Sequence, residues 1–223
     1  MSTRAKAVVA VGTAGVIAAS TVVALKLTSG GGASPCSTAT AVAVRATDNI
    51  FGAAAKTLPG GDGAGIRPVC VGIPGGSSKV MTVHATGRSS YDVGRSSVGT
   101  PAGDTSHTFV GGVISGVGGI SGVDTVNRVG YLAGVFLANS QPPHAPPSLE
   151  LHEHYDFTSL SPQLGQVFYI GDGVTASGVQ QVFHIPPGAT TLYLGLADAS
   201  SFAGAPCCYQ DNTGTFRATL SFS

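Results

Sequence analysis

"VFHIPPGATTLYLGLAD", residues 182 to 198, decides the fold. On both sides of Pro186-Pro187-Gly188 the side chains alternate with the period of a β-strand, and the Pro-Pro-Gly between them is a turn signal. The same alternation, rich in β-branched residues, recurs at 38–46, 78–87, 107–115, 129–138, 148–157, 166–171 and 214–223, and the opening stretch itself belongs to two strands expected at 179–186 and 190–198. Turn signals such as Pro59-Gly60-Gly61, Pro74-Gly75-Gly76 and Gly171-Asp172-Gly173 separate them. No helical period follows the first 33 residues. Short strands at this spacing predict an all-β fold, an antiparallel two-sheet sandwich of the jelly-roll kind. "QPPHAPP" (141–147) reads as an extended surface loop, and "GGVISGVGGISG" (111–122) is glycine-rich without a collagen period.

Residues 1–33 read differently. Arg4 and Lys6 precede an unbroken run of small and apolar residues from Ala7 to Leu25, which is followed by Lys26 and a Gly/Ser stretch. This is the pattern of a signal peptide or of an N-terminal signal anchor, and either would export the β-domain expected over 34–223. A membrane would be met only through this segment, if it is uncleaved. Without it the chain keeps eight Lys and Arg against eleven Asp and Glu, a formal charge of −3. A nucleic-acid partner is thereby disfavoured, since it selects clustered positive charge. The remaining length, about 190 residues, suits one domain with a full core.

The four cysteines of an exported chain favour disulfides over metal ligation, and no CxxC pair occurs. Three pairings are possible; one of them closes Cys207 onto its neighbour Cys208 and leaves Cys36 to meet Cys70.

"LHEHYDF" (151–157) offers His152 and His154 at the spacing of paired metal ligands on a strand. The same alternation puts Leu149, Leu151, Tyr155 and Phe157 on an apolar face, so that Glu150, His152, His154 and Asp156 form a wet one, which is the stronger reading. Glu153 then falls on the apolar side with no evident reason. HExxH, GxSxG, Walker A and GxGxxG motifs are all absent, so an enzyme is the least supported class.

"GLADASSFAGAPCCYQDNTGTF" (195–216) places Asp198 at the end of one strand and Asp211 and Asn212 at the start of the next. Asp and Asn favour turns in any case. Yet Ca2+ takes six to eight hard oxygens, and one loop between two strands could supply several if pairing of those strands brought its ends together.

Several motifs from about residue 80 onward resemble, in order, the small bacterial calcium-dependent galactose-binding lectins of the LecA type. They are "MTVHATGRSSY" (81–91), "GDTSH" (103–107), "GYLAGVF" (130–136), the opening stretch itself, and "DNTGTF" (211–216). That resemblance implies a sandwich in which Ca2+ and sugar share a site. It implies side-chain ligands to Ca2+ from Asp198, Asp211 and Asn212 and main-chain carbonyls from Tyr91 and Cys208. It also implies a sugar faced by His107, Asp198, Asp211 and the backbone near Ala199, with Thr108 beside His107 where the family has Pro. Asp211 stands where the family has Asn, and the loop after Asp198 is longer here. By itself, His107 beside a glycine-rich turn would be an ordinary solvated residue. The expectation is therefore an exported, calcium-dependent carbohydrate-binding protein for a galactose-like sugar. The alternative is an extracellular structural sandwich in which calcium only rigidifies a loop.

Overall fold

The structure is a computed structural model and describes residues 36–75, 79–92, 99–106, 111–151 and 154–223. The expected leader, His107, Thr108, His152 and Glu153 lie outside the described residues. Within them the strands run β1 (Ala41–Arg45), β2 (Val69–Gly72), β3 (Val80–Ser90), β4 (Val113–Ile114), β5 (Val123–Asp124), β6 (Ala133–Leu137), β7 (Ser159–Leu160), β8 (Val167–Tyr169), β9 (Val182–His184), β10 (Thr191–Gly195) and β11 (Thr213–Phe222). They form a five-stranded sheet in the order β1-β11-β3-β9-β7, a four-stranded sheet in the order β2-β10-β6-β8, and the pair β4-β5. This is the two-sheet sandwich expected from the alternation. Its pairings are antiparallel except β7 with β9, which runs parallel through Ser159↔Val182 and Leu160↔Phe183.

Alternation on the long strands explains the first core. On β11, Phe216, Ala218 and Leu220 are buried while Thr215, Arg217, Thr219 and Ser221 are exposed, and ten matched positions register the strand against β3. Those inward side chains meet Phe136, Phe168 and Leu192 from the four-stranded sheet. The Phe136 and Phe168 rings stack at 5.1 Å between centroids.

The four-stranded sheet is not solvated on its other face. Every residue of β6 is buried, and Ala133, Val135 and Leu137 point away from the first core into a second one. Ile50, Phe51, Ile114, Ile120 and Phe202 close this second core from the short strand β4, 3-10 turns and loops. The glycine-rich stretch at 111–122 is part of that layer, and its glycines allow close backbone approach. A Cβ on Gly122 would stand 2.5 Å from the Ile114 carbonyl oxygen, and one on Gly119 would strike the Pro142 carbonyl.

Residues 148–157 differ from expectation. Leu151 and Tyr155 are buried and Glu150, His154 and Asp156 are exposed, as the alternation required, but the described residues of the segment form no strand. Its conformation is set by side-chain packing and local turns instead. The Tyr155 ring meets Tyr169 edge-on at 4.9 Å, with the Arg128 guanidinium 4.6 Å above its centre, and the His154 N–H donates back to the Leu151 carbonyl at 2.7 Å.

Of the three pairings open to the cysteines, the structure takes Cys36 with Cys70 and Cys207 with Cys208. Among the described residues no helix is long and apolar enough to cross a membrane.

A Gly122→Ala substitution should destabilise the domain by about 1–3 kcal/mol in urea denaturation, because its methyl group meets fixed backbone. Gly75→Ala, where the added methyl meets nothing within 4 Å, should leave stability within about 0.5 kcal/mol.

Candidate functional site

β10 ends in the four-stranded sheet and β11 begins in the five-stranded one, so residues 196–212 carry the chain from one sheet to the other. The two strands do not pair with each other: β10 lies between β2 and β6, and β11 between β1 and β3. The ends of the loop therefore meet through side chains, not through the ladder expected from the sequence. Asn212 Nδ2 donates to Asp198 Oδ2 at 2.8 Å and to the Ala46 carbonyl at 3.1 Å, joining the end of one sheet to the edge of the other. Asp198 Oδ1 accepts the Ala199 N–H at 2.8 Å. Tyr209, fully buried, accepts the Asp198 N–H and donates to the Leu196 carbonyl, each at 3.0 Å.

Two acceptors on one side fix the orientation of the Asn212 amide, since turning it over would set oxygen against oxygen. Its Oδ1 is then left buried without a donor, and so is Oδ1 of Asp211. Buried polar atoms in native proteins nearly always have a partner, so two such oxygens on adjacent residues call for an explanation. Asp198 and Asn212 are themselves only 4% and 5% exposed.

Burial pushes the Asp198 carboxyl from its ordinary 3.8 up to about 7; hydrogen bonds from Asn212 and Ala199 oppose this, and the negative charge of Asp211 adds to it. Complete burial, with the Asp198 charge adding to it, drives the Tyr209 phenol well above its usual range, so it remains a donor. The Asp48 carboxyl is also buried, and burial raises it to about 6 against the pull of the Arg45 backbone N–H and charge. The Asp48 carbonyl accepts the Leu196 N–H at 2.8 Å, just upstream of Asp198.

Of the residues expected at a site, the structure brings Asp198, Ala199, Asp211 and Asn212 together. Tyr91 follows directly after Ser90, which is opposite Thr213 in the β3–β11 register, so it emerges at the same end as Asn212. Its phenol donates to Asp104 Oδ2 at 2.8 Å and its ring meets Phe202 edge-on at 4.9 Å. Cys208 is in the left-handed conformation immediately before the 3-10 turn Tyr209–Asp211. Ala46, Asp48 and Tyr209 escaped sequence reasoning. An aromatic residue between two polar pairs offers no signal that its hydroxyl will bridge the main chain.

The oxygens gathered here are two carboxylates and an amide, which are hard donors of the kind that Ca2+ takes and that softer metals do not prefer. Among the described residues there is no group of three or more His, Cys, Asp and Glu side chains able to hold a metal. A transition-metal centre thus finds no support there, whereas a site built on amide and carbonyl oxygens is not of that type.

What the fold and these groups define is a β-sandwich with a buried cluster of carboxylate and amide oxygens at one end. No protein-family model matches the sequence, and no curated protein matches it either. Among solved structures, one described as "EclA N-terminal domain; PllA-like lectin" is similar to this chain, with 14% identity and a TM-score of 0.42, over 82% of this chain and 95% of that one.

The raised carboxyls make the folding stability depend on pH. The folded state holds the Asp198 proton up to about pH 7, while the unfolded chain releases it near the ordinary value, so folding takes up a proton between them. This contribution is complete below about pH 4 and is lost as pH rises through about 7, an upper bound of about 4 kcal/mol. Asp48 adds a loss in the same sense that is complete near pH 6. In chelator, thermal melts should therefore fall from pH 4 to 7.5. In Asp198→Asn the part of the fall between pH 6 and 7.5 should vanish.

Proposed function

We propose that this chain is an exported carbohydrate-binding protein in which Ca2+, held by Asp198, Asp211 and Asn212, orients the hydroxyls of a galactose-like sugar. The observation that carries the reading is the pair of buried oxygens without donors, Asp211 Oδ1 and Asn212 Oδ1, beside the Asp198 carboxylate. A cation would give both a partner and would relieve the repulsion between the two acids. Main-chain carbonyls of Tyr91 and Cys208 would complete the shell, as the resemblance of the sequence motifs to calcium-dependent lectins implies. Two disulfides fit an oxidising compartment and support export.

The residues of this chain have definite tasks in such a site. Asn212 holds Asp198 in place through Nδ2, which leaves its own Oδ1 aimed elsewhere. Calcium binding would displace the proton that burial keeps on Asp198, so affinity should rise with pH through about 7. Bound Ca2+ supplies direct coordination to vicinal hydroxyls, a useful source of affinity for a ligand with little apolar surface. Carboxylate oxygens of Asp198 and Asp211 would accept the hydroxyl protons in charge-assisted bonds. His107 and Thr108 are assigned to the sugar by the resemblance of the sequence motifs alone.

A second reading has its own support. The near-complete burial of Asp198 and Asn212 suits a cation that only fastens the loop, in an extracellular structural sandwich.

Titration calorimetry should show calcium binding that weakens at least about tenfold, or about 1.4 kcal/mol, in Asp198→Ala. Absence of heat with the wild-type protein would refute the calcium site. A glycan array run with and without chelator separates the two readings. The lectin is expected to bind galactose-terminated glycans only with Ca2+ and to lose them in His107→Ala while keeping its calcium heat. Calcium binding without any glycan would leave the structural reading.

A further inference from the structure

We infer that the Cys207–Cys208 disulfide is a positioning element for this site: it fixes the turn at Cys208 that delivers Tyr209, Asp211 and Asn212 to Asp198. The inference rests on the reading of the loop as a calcium site, and it adds a covalent determinant that the oxygen ligands alone do not suggest.

The geometry on both sides of the disulfide leads to it. Upstream, the Cys207 N–H donates to the Asp198 carbonyl at 3.1 Å, and Ala199 and Pro206 form an antiparallel bridge, so the chain has returned to Asp198 just as the disulfide begins. Cys208 then takes φ 77° and ψ 13°, a left-handed conformation that is unfavourable for a side-chain-bearing residue. Immediately after it comes the Tyr209–Asp211 turn. Tyr209 goes inward to its two hydrogen bonds, and Asp211 and Asn212 follow at the mouth of the site. Reversal of the chain at Cys208 is what separates an inward Tyr209 from an upstream strand already bonded to Asp198.

A ring closed through a single peptide bond leaves the Cys207–Cys208 step very few conformations. The unfavourable left-handed state is then no longer in competition with the broad β region open to an unbridged residue. Ring closure also removes freedom from the unfolded loop. The backing is tight as well: a Cβ on Gly63 would come within 2.8 Å of the Cys208 nitrogen and 2.6 Å of Gln210 Oε1, so residues 60–65 leave this step no room to shift. Both cysteines are partly exposed, so the disulfide is not there to fill a core.

Cys207→Ala/Cys208→Ala removes this ring and leaves Cys36–Cys70 intact; Cys207→Ala/Cys208→Gly removes it but restores a residue that adopts the left-handed state without penalty. Two measurements follow on each. Amide hydrogen exchange in chelator reads the loop without any metal. Protection of the Asp198 and Cys207 N–H groups should fall at least about tenfold in the Ala/Ala protein and recover in part in the Ala/Gly protein, while β3 and β11 amides stay as in wild type. Calorimetry should show calcium affinity falling in the same order. Wild-type protection in the Ala/Ala protein overturns the inference, as does equal loss in both variants, since that would exclude the left-handed turn as the cause. If the wild type binds no calcium, the calcium reading fails, and exchange alone still decides whether the disulfide positions the loop. Should Ala/Ala fail to fold, Ala/Gly against wild type carries the test, with unchanged protection again overturning it.

Discussion

Burial of β6 on both faces is the constraint from which the rest of the structure follows. A two-sheet sandwich ordinarily covers one face of each sheet and leaves the other to water. Here Ala133, Val135 and Leu137 point outward from the sandwich and are still buried, so irregular chain must form a second layer over the four-stranded sheet. Glycine-rich residues 111–122 supply much of that layer because they let backbone lie against backbone. Phe202, in the loop that leaves Asp198, inserts into the same layer. Its carbonyl accepts from Thr125 Oγ1 at 2.8 Å and from the Gly112 N–H at 3.2 Å, so the candidate site is tied to the second core as firmly as to either sheet.

The polar end of the molecule is organised by one amide. Asn212 connects the Asp198 carboxylate to the Ala46 carbonyl and so links three chain segments that share no ladder at this point. The arrangement is costly in isolation. It buries an acid near a second acid and leaves two oxygens without donors. Proton uptake by Asp198 relieves part of that cost. Stability and pH are thereby linked through one carboxyl group.

Much of the fold was legible. Alternation at 38–46, 78–87, 166–171, 179–186, 190–198 and 214–223 marked β1, β3, β8, β9, β10 and β11, because a sheet with one wet face repeats every second residue. The short β2, β5 and β7 were missed, being two to four residues long and too brief for a period to show. At 148–157 the period was real and the strand was not. Leu151 and Tyr155 are buried because both join the second core, where the Tyr155 ring packs on Tyr131 and Tyr169, and packing needs no hydrogen-bonded neighbour.

The site divides in the same way. The sequence by itself determined the chemical types, two carboxylates and an amide at the mouths of one loop, because residue identity fixes which oxygens are present. Tertiary structure decided how they meet. β10 and β11 enter different sheets, so a ladder could not join the loop's ends, and the joining fell to Asn212, Tyr209 and the carbonyl of Ala46, more than 150 residues away in sequence. No local pattern specifies such a contact, because its partners are chosen by the crossing from one sheet to the other and not by spacing along the chain.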